Sequence, residues 1–328
     1  MKNFLLVLTT LFFSSLGATT VVVIGGGPGG LATAIEAYYS GADVIIVEKR
    51  KDYTRNQGTY LLDSSLALLE KWEVHVEHMY MGEITPERKV AFLQLKNLEK
   101  ALGKKVELLG IQKIHGEFLE LCDHAIVVQI EGEEKVLSYD FLVAADGAHS
   151  HLRDCLHIKT SCIGQARGAL AVFGSLEEDL GTIHFTPDLK NGDIHGKRSE
   201  FDGGSVVCLQ GPSNSLGDFC GAIRDFGWQE DANKLADGQG QLFENIEVLL
   251  QRSDAFFNRE YSAILIGDAA ATGSFFRGLG ANTALKAATF AGRFFREVEI
   301  HEDLAYDSFN QKMQEVTDYM IERNRSLF

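Results

Sequence analysis

The sequence predicts an α/β protein in which an antiparallel β-sheet is inserted into a parallel, nucleotide-binding type of unit. Three observations carry that expectation. The β-branched run 20–24 (Thr-Val-Val-Val-Ile) suits a strand buried on both faces, and it leads straight into Gly25-Gly26-Gly27-Pro28-Gly29-Gly30. Two later apolar runs, 141–145 and 263–266, run into Asp146-Gly147 and Gly267-Asp268. Between them, from about residue 165, short runs alternate with glycine-rich turns, as antiparallel strands do.

Residues 31–40 read as a helix with Leu31, Ala34, Ile35 and Tyr38 on one face and Gly41 as its stop. Residues 43–47 read as the second strand, ending at Glu48. This β–turn–α–β unit has the usual length of about 30 residues. Helices are expected over 64–72 and 87–102, the second with Val90, Leu93, Leu98 and Leu102 among its apolar positions and Gly103 as its stop. Strands follow over 106–114, 117–121, 125–130 and 141–145. In the inserted block, strands are expected over 169–173, 182–185, 205–210 and 219–224, then a helix over 229–252 that Gly238 and Gly240 interrupt. Strand 263–266 resumes the parallel sheet, and helices 279–298 and 304–321 close the chain. The domain division is therefore 1–18 as a leader-like segment, 19–160 and 259–328 as two parts of the nucleotide-binding unit, and 161–258 as the inserted sheet.

The 328 residues are 45% hydrophobic and 23% charged, enough to bury a core. The formal charge is 31 − 46 = −15, and the longest basic run is Lys49-Arg50-Lys51. Such a chain is a poor partner for nucleic acid or an anionic membrane. Cys122, Cys155, Cys162, Cys208 and Cys220 form no C-x-x-C, so they read as free thiols, and no metal site is expected. Lys2, the apolar stretch 4–13 and the small residues Ser14-Ser15-Leu16-Gly17-Ala18 read like a Sec signal peptide without twin arginines. An extra N-terminal element or a mis-set start fits them too. An exported protein follows from the first reading and a cytoplasmic one from the others. The stretch is short of the ~20 residues of a stable membrane span.

Gly25-x-Gly27-x-x-Gly30 stands between a strand and a helix, the context that gives the pattern its meaning. The first glycine allows the turn, the second lets the backbone approach a pyrophosphate, and the third lets the helix pack on the strand. The helix N-terminus offers free N–H groups and partial positive charge to that anion. Glu48, 18 residues beyond Gly30, is placed to accept hydrogen bonds from a ribose diol.

This motif, the segment 142–153 (Leu-Val-Ala-Ala-Asp-Gly-Ala-His-Ser-His-Leu-Arg) and the segment 265–282 around Gly267-Asp268 and Gly278-Leu279-Gly280-Ala281-Asn282 together resemble the three fingerprints of the class A flavoprotein monooxygenases, the p-hydroxybenzoate hydroxylase-like family. The resemblance covers about residues 20–155 and 260–300. It implies an FAD-binding Rossmann-like (GR2-type) domain carrying an antiparallel substrate sheet. It also implies an NAD(P)H- and O2-dependent monooxygenase of a small organic substrate, with the difficult chemistry carried by the flavin and no side chain named as catalytic. By resemblance the cofactor residues are Gly25, Gly27, Gly29, Gly30, Glu48, Arg55, Arg88, Asp146, Gly147, Asp268, Gly278, Gly280 and Asn282. Arg88 stands at the start of the expected helix 87–102, and the stretch 48–56 is also similar to MICAL-type monooxygenases. Two positions depart from the family: Ala271 stands where His is usual, and Phe275 where Pro is usual beside the flavin. They keep two alternatives open, a flavin reductase or dehydrogenase that never hydroxylates and an FAD-binding protein without turnover.

The remaining candidates have plainer readings. His75 with His78, and His149 with His151, read as surface residues, and Tyr38-Tyr39 as helix surface and packing. Arg277 suits either an anionic substrate or the surface. Trp72 and Trp228 lie too far apart for the W-x-W-x-I-P element of flavin-dependent halogenases.

Overall fold

The structure, a computed structural model, describes residues 18–55, 57–85, 88–174, 183–186, 188–201, 204–211 and 218–328. The leader-like segment lies, apart from Ala18, outside them. The first half of the chain runs β1 (Thr20–Ile24), α1 (Pro28–Tyr39), β2 (Asp43–Glu48), β3 (Gly58–Leu62), α2 (Asp63–Lys71), β4 (Tyr80–Thr85), β5 (Arg88–Gln94), α3 (Leu95–Leu108), β6 (Gln112–His115), β7 (Glu117–Cys122), β8 (Ala125–Ile130), β9 (Glu133–Ser138), β10 (Phe141–Ala144) and α4 (His151–Cys155). The second half runs β11 (Thr160–Phe173), β12 (Ile183–Phe185), β13 (Leu189–Asn191), β14 (Ile194–Phe201), β15 (Gly204–Gly211), α5 (Phe219–Asp225), α6 (Gln229–Ala236), β16 (Gln241–Ser253), β17 (Phe257–Asn258), β18 (Ala263–Leu265), β19 (Ala271–Thr272), α7 (Leu279–Glu297) and α8 (Glu302–Arg325).

A six-stranded sheet in the order β17-β18-β10-β1-β2-β6 forms the nucleotide-binding layer. All its pairs are parallel except β17 with β18. At its centre Val23 is in register with Val143 on one side and Ile46 on the other. Val21, Val22 and Val23 are fully buried, as a strand covered on both faces requires. Helix α1 begins at Pro28, whose missing N–H costs nothing at the first helical position. It buries nearly its whole circumference against the sheet, α3 and α7. The small sheet β7-β8-β9 follows β6.

The second large sheet has ten strands and is almost entirely antiparallel, in the order β19-β16-β11-β15-β14-β12-β4-β5-β3, with β13 beside β14. Three of its strands, β3 to β5, come from residues 58–94, ahead of the inserted block. Helices α5 and α6 cover one face, with Phe219, Ala222, Ile223 and Ala232 packed on Ala169, Ala171, Val207 and Leu209. The opposite face, bearing His195, Lys197 and Ser199 of β14 and Cys208 of β15, turns toward Tyr60 and the turn that opens α7.

Several sequence expectations are corrected. Residues 88–94 are a strand, and the helix expected over 87–102 begins at Leu95. Val90, Ala91, Phe92 and Leu93 are all buried between β3 and β4, and an apolar run covered on both sides has no helical or strand period to read. That helix then extends through 106–108, where a strand was expected, leaving β6 only four residues. The stretch 219–224 is helical because Asp218 caps it through the Gly221 N–H at 2.9 Å and Phe219, Ala222 and Ile223 fall on one face. The helix expected over 229–252 ends at Ala236, and 241–253 is a strand paired along most of β11. Non-local pairing outweighs local propensity there.

Candidate functional site

The glycine turn is built by close approach. Gly25 has φ +105°, and a Cβ on it would stand 2.3 Å from the Ala145 carbonyl oxygen. A Cβ on Gly30 would stand 1.9 Å from the Gly25 carbonyl oxygen. Backbone already fills both places. Gly27 differs: the nearest atom to its Cβ position is Glu99 Oε1, 4.0 Å away. The Leu31 N–H donates to the Gly27 carbonyl at 2.9 Å and starts α1, and among the described residues no side chain caps that end. Free N–H groups and the positive helix end therefore face an open cradle.

The three fingerprint segments meet here. A Cβ on Gly25 would lie 2.9 Å from Asp146 Cα, one on Gly29 3.5 Å from Gly267 Cα, and one on Gly280 3.8 Å from Asp268 Oδ1. Gly147 has φ +99° and open surroundings. Asp146 turns its carboxylate to its own segment, accepting from Ser150 Oγ and, at 3.2 Å, from the Leu152 N–H. Arg153, nearly buried, ties two segments together: its Nη1 donates to Ala148 O at 3.1 Å and to Ala269 O at 3.3 Å.

Four charged side chains gather beside the cradle. Glu48 is 4% exposed and accepts from the Gly26 N–H at 2.6 Å and from Arg50 through both oxygens. Burial raises its carboxyl, but Arg50 and the Gly26 N–H outweigh burial and bring it below the usual carboxylate range. Arg50 also reaches Glu99 Oε1 at 3.2 Å, and Arg55 lies 3.8 Å from the same oxygen. Glu99 is fully buried, and its Oε2 has no hydrogen-bond partner among the described residues. Burial pushes its carboxyl up against the pull of Arg55 and Arg50. Asp268 is exposed to solvent yet ringed by protein, the position of a group on the floor of a cleft. That crowding pushes its carboxyl up, and Arg55 pulls it down.

At the other end of the cleft, Gly278 opens α7 with φ +60°, and Tyr60 lies beneath it, 2.9 Å from where a Cβ would stand. The Asn282 side chain is fully engaged within the protein. Its Nδ2 donates to Tyr60 O at 2.6 Å and Gly278 O at 2.9 Å, and its Oδ1 accepts from the Leu62 N–H at 2.9 Å and Ser65 Oγ at 2.7 Å. Beyond Tyr60 lies a cluster of polar side chains. The Tyr60 hydroxyl is 2.8 Å from Ser199 Oγ, and the Lys197 ammonium stands 4.3 Å over the Tyr60 ring. Lys197 faces Cys208 across the β14–β15 pair. Among the described residues no carboxylate lies within ion-pair distance of Lys197, and burial lowers its pKa against the pull of Asp188. Burial pushes the Cys208 thiol up to about 12. His195 meets Phe276 edge-on, 6.4 Å between ring centres. Phe275, where the family carries Pro, lies over the bare backbone of Gly168, and Ala271 is buried in β19. Arg277 is engaged by Asp188 at 3.4 Å and Ser326 at 3.3 Å.

Gly25, Gly27, Gly29, Gly30, Glu48, Arg55, Asp146, Gly147, Asp268 and Gly280 thus border one cleft, with Gly278 and Asn282 at its far end. Arg88 starts β5 rather than a helix, and its side chain lies outside what is described. Sequence reasoning passed over Arg50, Glu99 and the residues clustered around Tyr60. Glu99 carried a signal, because it shares the buried stripe of α3 with Leu102, Gly103 and Val106. An acid on an apolar stripe needs a partner. His75, His78, His149 and His151 are exposed, as are Tyr38 and Tyr39.

Residues 19–167 match the family model of the pyridine nucleotide-disulphide oxidoreductases. No curated protein matches the chain. Among solved structures, the chain is similar to the tetrameric form of 2-methyl-3-hydroxypyridine-5-carboxylic acid oxygenase, at 20% identity and TM-score 0.71 over 94% of this chain and 93% of that one. It is similar to the tetracycline destructase Tet(51) at 16% identity and TM-score 0.64, over 94% and 90%. It is similar to CtdE in complex with FAD at 15% identity and TM-score 0.68, over 93% and 94%. The likeness is one of fold, and it includes the inserted sheet, where the sequence resemblance is weakest.

Proposed function

We propose that this chain, which has the fold of the class A flavoprotein monooxygenases, is an FAD-dependent oxidoreductase, and more finely an NAD(P)H- and O2-dependent monooxygenase of a small organic substrate. One observation carries the reading: the open cradle at Gly27, bordered by the free N–H groups of α1 and continued past Asp268 to the turn at Gly278. Those residues suit a dinucleotide. The Gly27 Cβ position is clear of protein out to Glu99 Oε1 at 4.0 Å, an acid stands at the end of β2 where a ribose would lie, and a glycine-opened helix stands at the far end. The helix N-termini of α1 and α7 would hold the diphosphate and the flavin ring, and Glu48 the ribose. Bound there, FAD would take a hydride from NAD(P)H and activate O2, one oxygen atom going to the substrate and the other to water.

The chain's own part is placement. The cluster of Tyr60, His195, Lys197, Ser199 and Cys208 would border the substrate, with the Lys197 ammonium directed at an oxygen acceptor on it. The protein thereby keeps a half-buried cation whose balancing group arrives with the ligand. Lys197→Met is therefore expected to raise the melting temperature by about 2 °C, roughly 1 kcal/mol, because a desolvated charge is replaced by a thioether of similar length. A fall of the same size in calorimetry would make Lys197 a structural residue.

Flavin binding without turnover is favoured by Ala271 and by the bulk of Phe275 where Pro is usual. One measurement separates these readings. The purified protein's flavin spectrum is recorded, NADH or NADPH is added under air, and bleaching, oxygen uptake and peroxide are followed. Bleaching with oxygen uptake is expected. A bound flavin inert to both nicotinamides would instead support the binding protein, and a colourless protein that takes up no added FAD would overturn the whole assignment.

A further inference from the structure

We propose that Glu99, beside the diphosphate cradle, becomes a neutral carboxylic acid with its proton on Oε2 when FAD binds, so that cofactor binding takes up one proton. The inference rests on the FAD reading above. It starts from geometry. Glu99 is fully buried at the side of the cradle, with Oε1 4.0 Å from the Gly27 Cβ position. That oxygen accepts from Arg50 Nη1 at 3.2 Å, whereas Oε2 is without a partner among the described residues. A carboxyl so placed, with no exposed surface on Oε2, either keeps its charge or takes a proton.

Charge balance decides which. The ionised groups beside the cradle are Glu48 and Arg50 at the end of β2, Arg55 in the loop that follows, and Glu99 of α3. Two cations already face two carboxylates. A diphosphate adds about two negative charges, against which stands only the ~+0.5 charge of the α1 N-terminus. An ionised Glu99 would repel the group that Gly27 is shaped to admit. A proton taken from solvent onto Oε2 removes that charge, and Oε1 continues to accept from Arg50. Glu48 cannot take that role, because Arg50 and the Gly26 N–H hold it ionised. Tyr53, which also faces the pair, is held protonated by burial and by both carboxylates. The arginines do not titrate. Glu99 is already displaced upward by burial, so a proton on it costs less than on an exposed carboxylate. Across the cleft Asp268 is raised as well, and the Glu99 variant separates the two.

The sign follows from linkage. A group whose pKa rises on binding favours the complex below its free-state pKa, and the advantage fades as pH climbs toward its bound-state value. The test uses the full chain freed of flavin, titrated with FAD by fluorescence quenching from pH 5.5 to 8.5. Calorimetry at pH 7.5 in two buffers of different ionisation enthalpy counts protons. The expected result is a dissociation constant that rises by about tenfold per pH unit in the upper part of the range, with uptake of close to one proton. Glu99→Gln keeps the shape and removes the charge. It is expected to bind with a flat pH profile, no proton uptake, and at least tenfold tighter than wild type at pH 8.5. A pH-independent wild type, or a Glu99→Gln variant with the wild-type slope, overturns the proposal and leaves the FAD assignment standing. Failure of wild type to bind FAD at any pH overturns both. The wild-type proton count needs no variant, so a Glu99→Gln chain that failed to fold would not shield the idea.

Discussion

Gly27→Val is expected to lose FAD and to melt where the wild type melts. The Cβ position has no neighbour closer than Glu99 Oε1 at 4.0 Å, so a Cβ there meets no wall of the fold. It would project into the cradle at the α1 N-terminus, where the diphosphate is proposed to lie. Affinity should fall at least 100-fold, about 3 kcal/mol, since both the space and the access to the helix N–H groups are lost. Gly30 makes the comparison sharp. Its Cβ position is 1.9 Å from the Gly25 carbonyl, so Gly30→Ala should lower the melting temperature whatever its effect on flavin. Absorbance at the flavin bands after gel filtration, set beside a thermal melt of the ligand-free proteins, reads both. A Gly27→Val protein that stays yellow at one flavin per chain would show that the diphosphate lies elsewhere.

The second large effect belongs to Arg153. Its guanidinium joins the Asp146-Gly147 turn to the Gly267-Asp268 turn through the carbonyls of Ala148 and Ala269. Each carbonyl has a second donor, Gln251 Nε2 at 3.2 Å and Ser253 Oγ at 2.9 Å. Arg153→Met therefore orphans neither oxygen. What disappears is a charged crosslink in a nearly buried place, worth about 2–3 kcal/mol for two such bonds. A drop of roughly 3–6 °C in melting temperature is expected. Flavin affinity should fall with it, because the two turns border the same cleft. Arg153→Lys should recover only part of either quantity, since the lysine side chain is one atom shorter and its ammonium stops short of the place from which Nη1 reaches both carbonyls. Unchanged flavin affinity in Arg153→Met would mean that the two turns hold their places independently.

The nucleotide-binding half was legible in the sequence because its signals are local. A β-branched run, a glycine turn and a helix start stand consecutively between residues 20 and 39, and each is dictated by sterics within a few residues. The two glycine–acid turns were legible for the same reason. The large sheet was less so. Residues 88–94 and 241–253 are strands only because β3 and β4 or β11 lie beside them, and no local property of those runs announces such partners. Asp218 and Gly221 did announce α5, yet the apolar residues around them also suit a strand.

The sequence by itself determined that a dinucleotide-type turn exists, which glycines form it, and which acid ends the second strand. Those are consequences of backbone conformation and of spacing along one chain. Tertiary structure alone decided that Arg50 joins Glu48 to Glu99, that Arg153 ties two turns together, and that Lys197 stands over Tyr60 without a carboxylate partner among the described residues. These pairs lie 49, 116 and 137 residues apart at their widest, and their charges acquire meaning only through burial beside one another. Packing removes water from around them, and in its absence each carboxylate or ammonium must find a partner, a proton or a ligand.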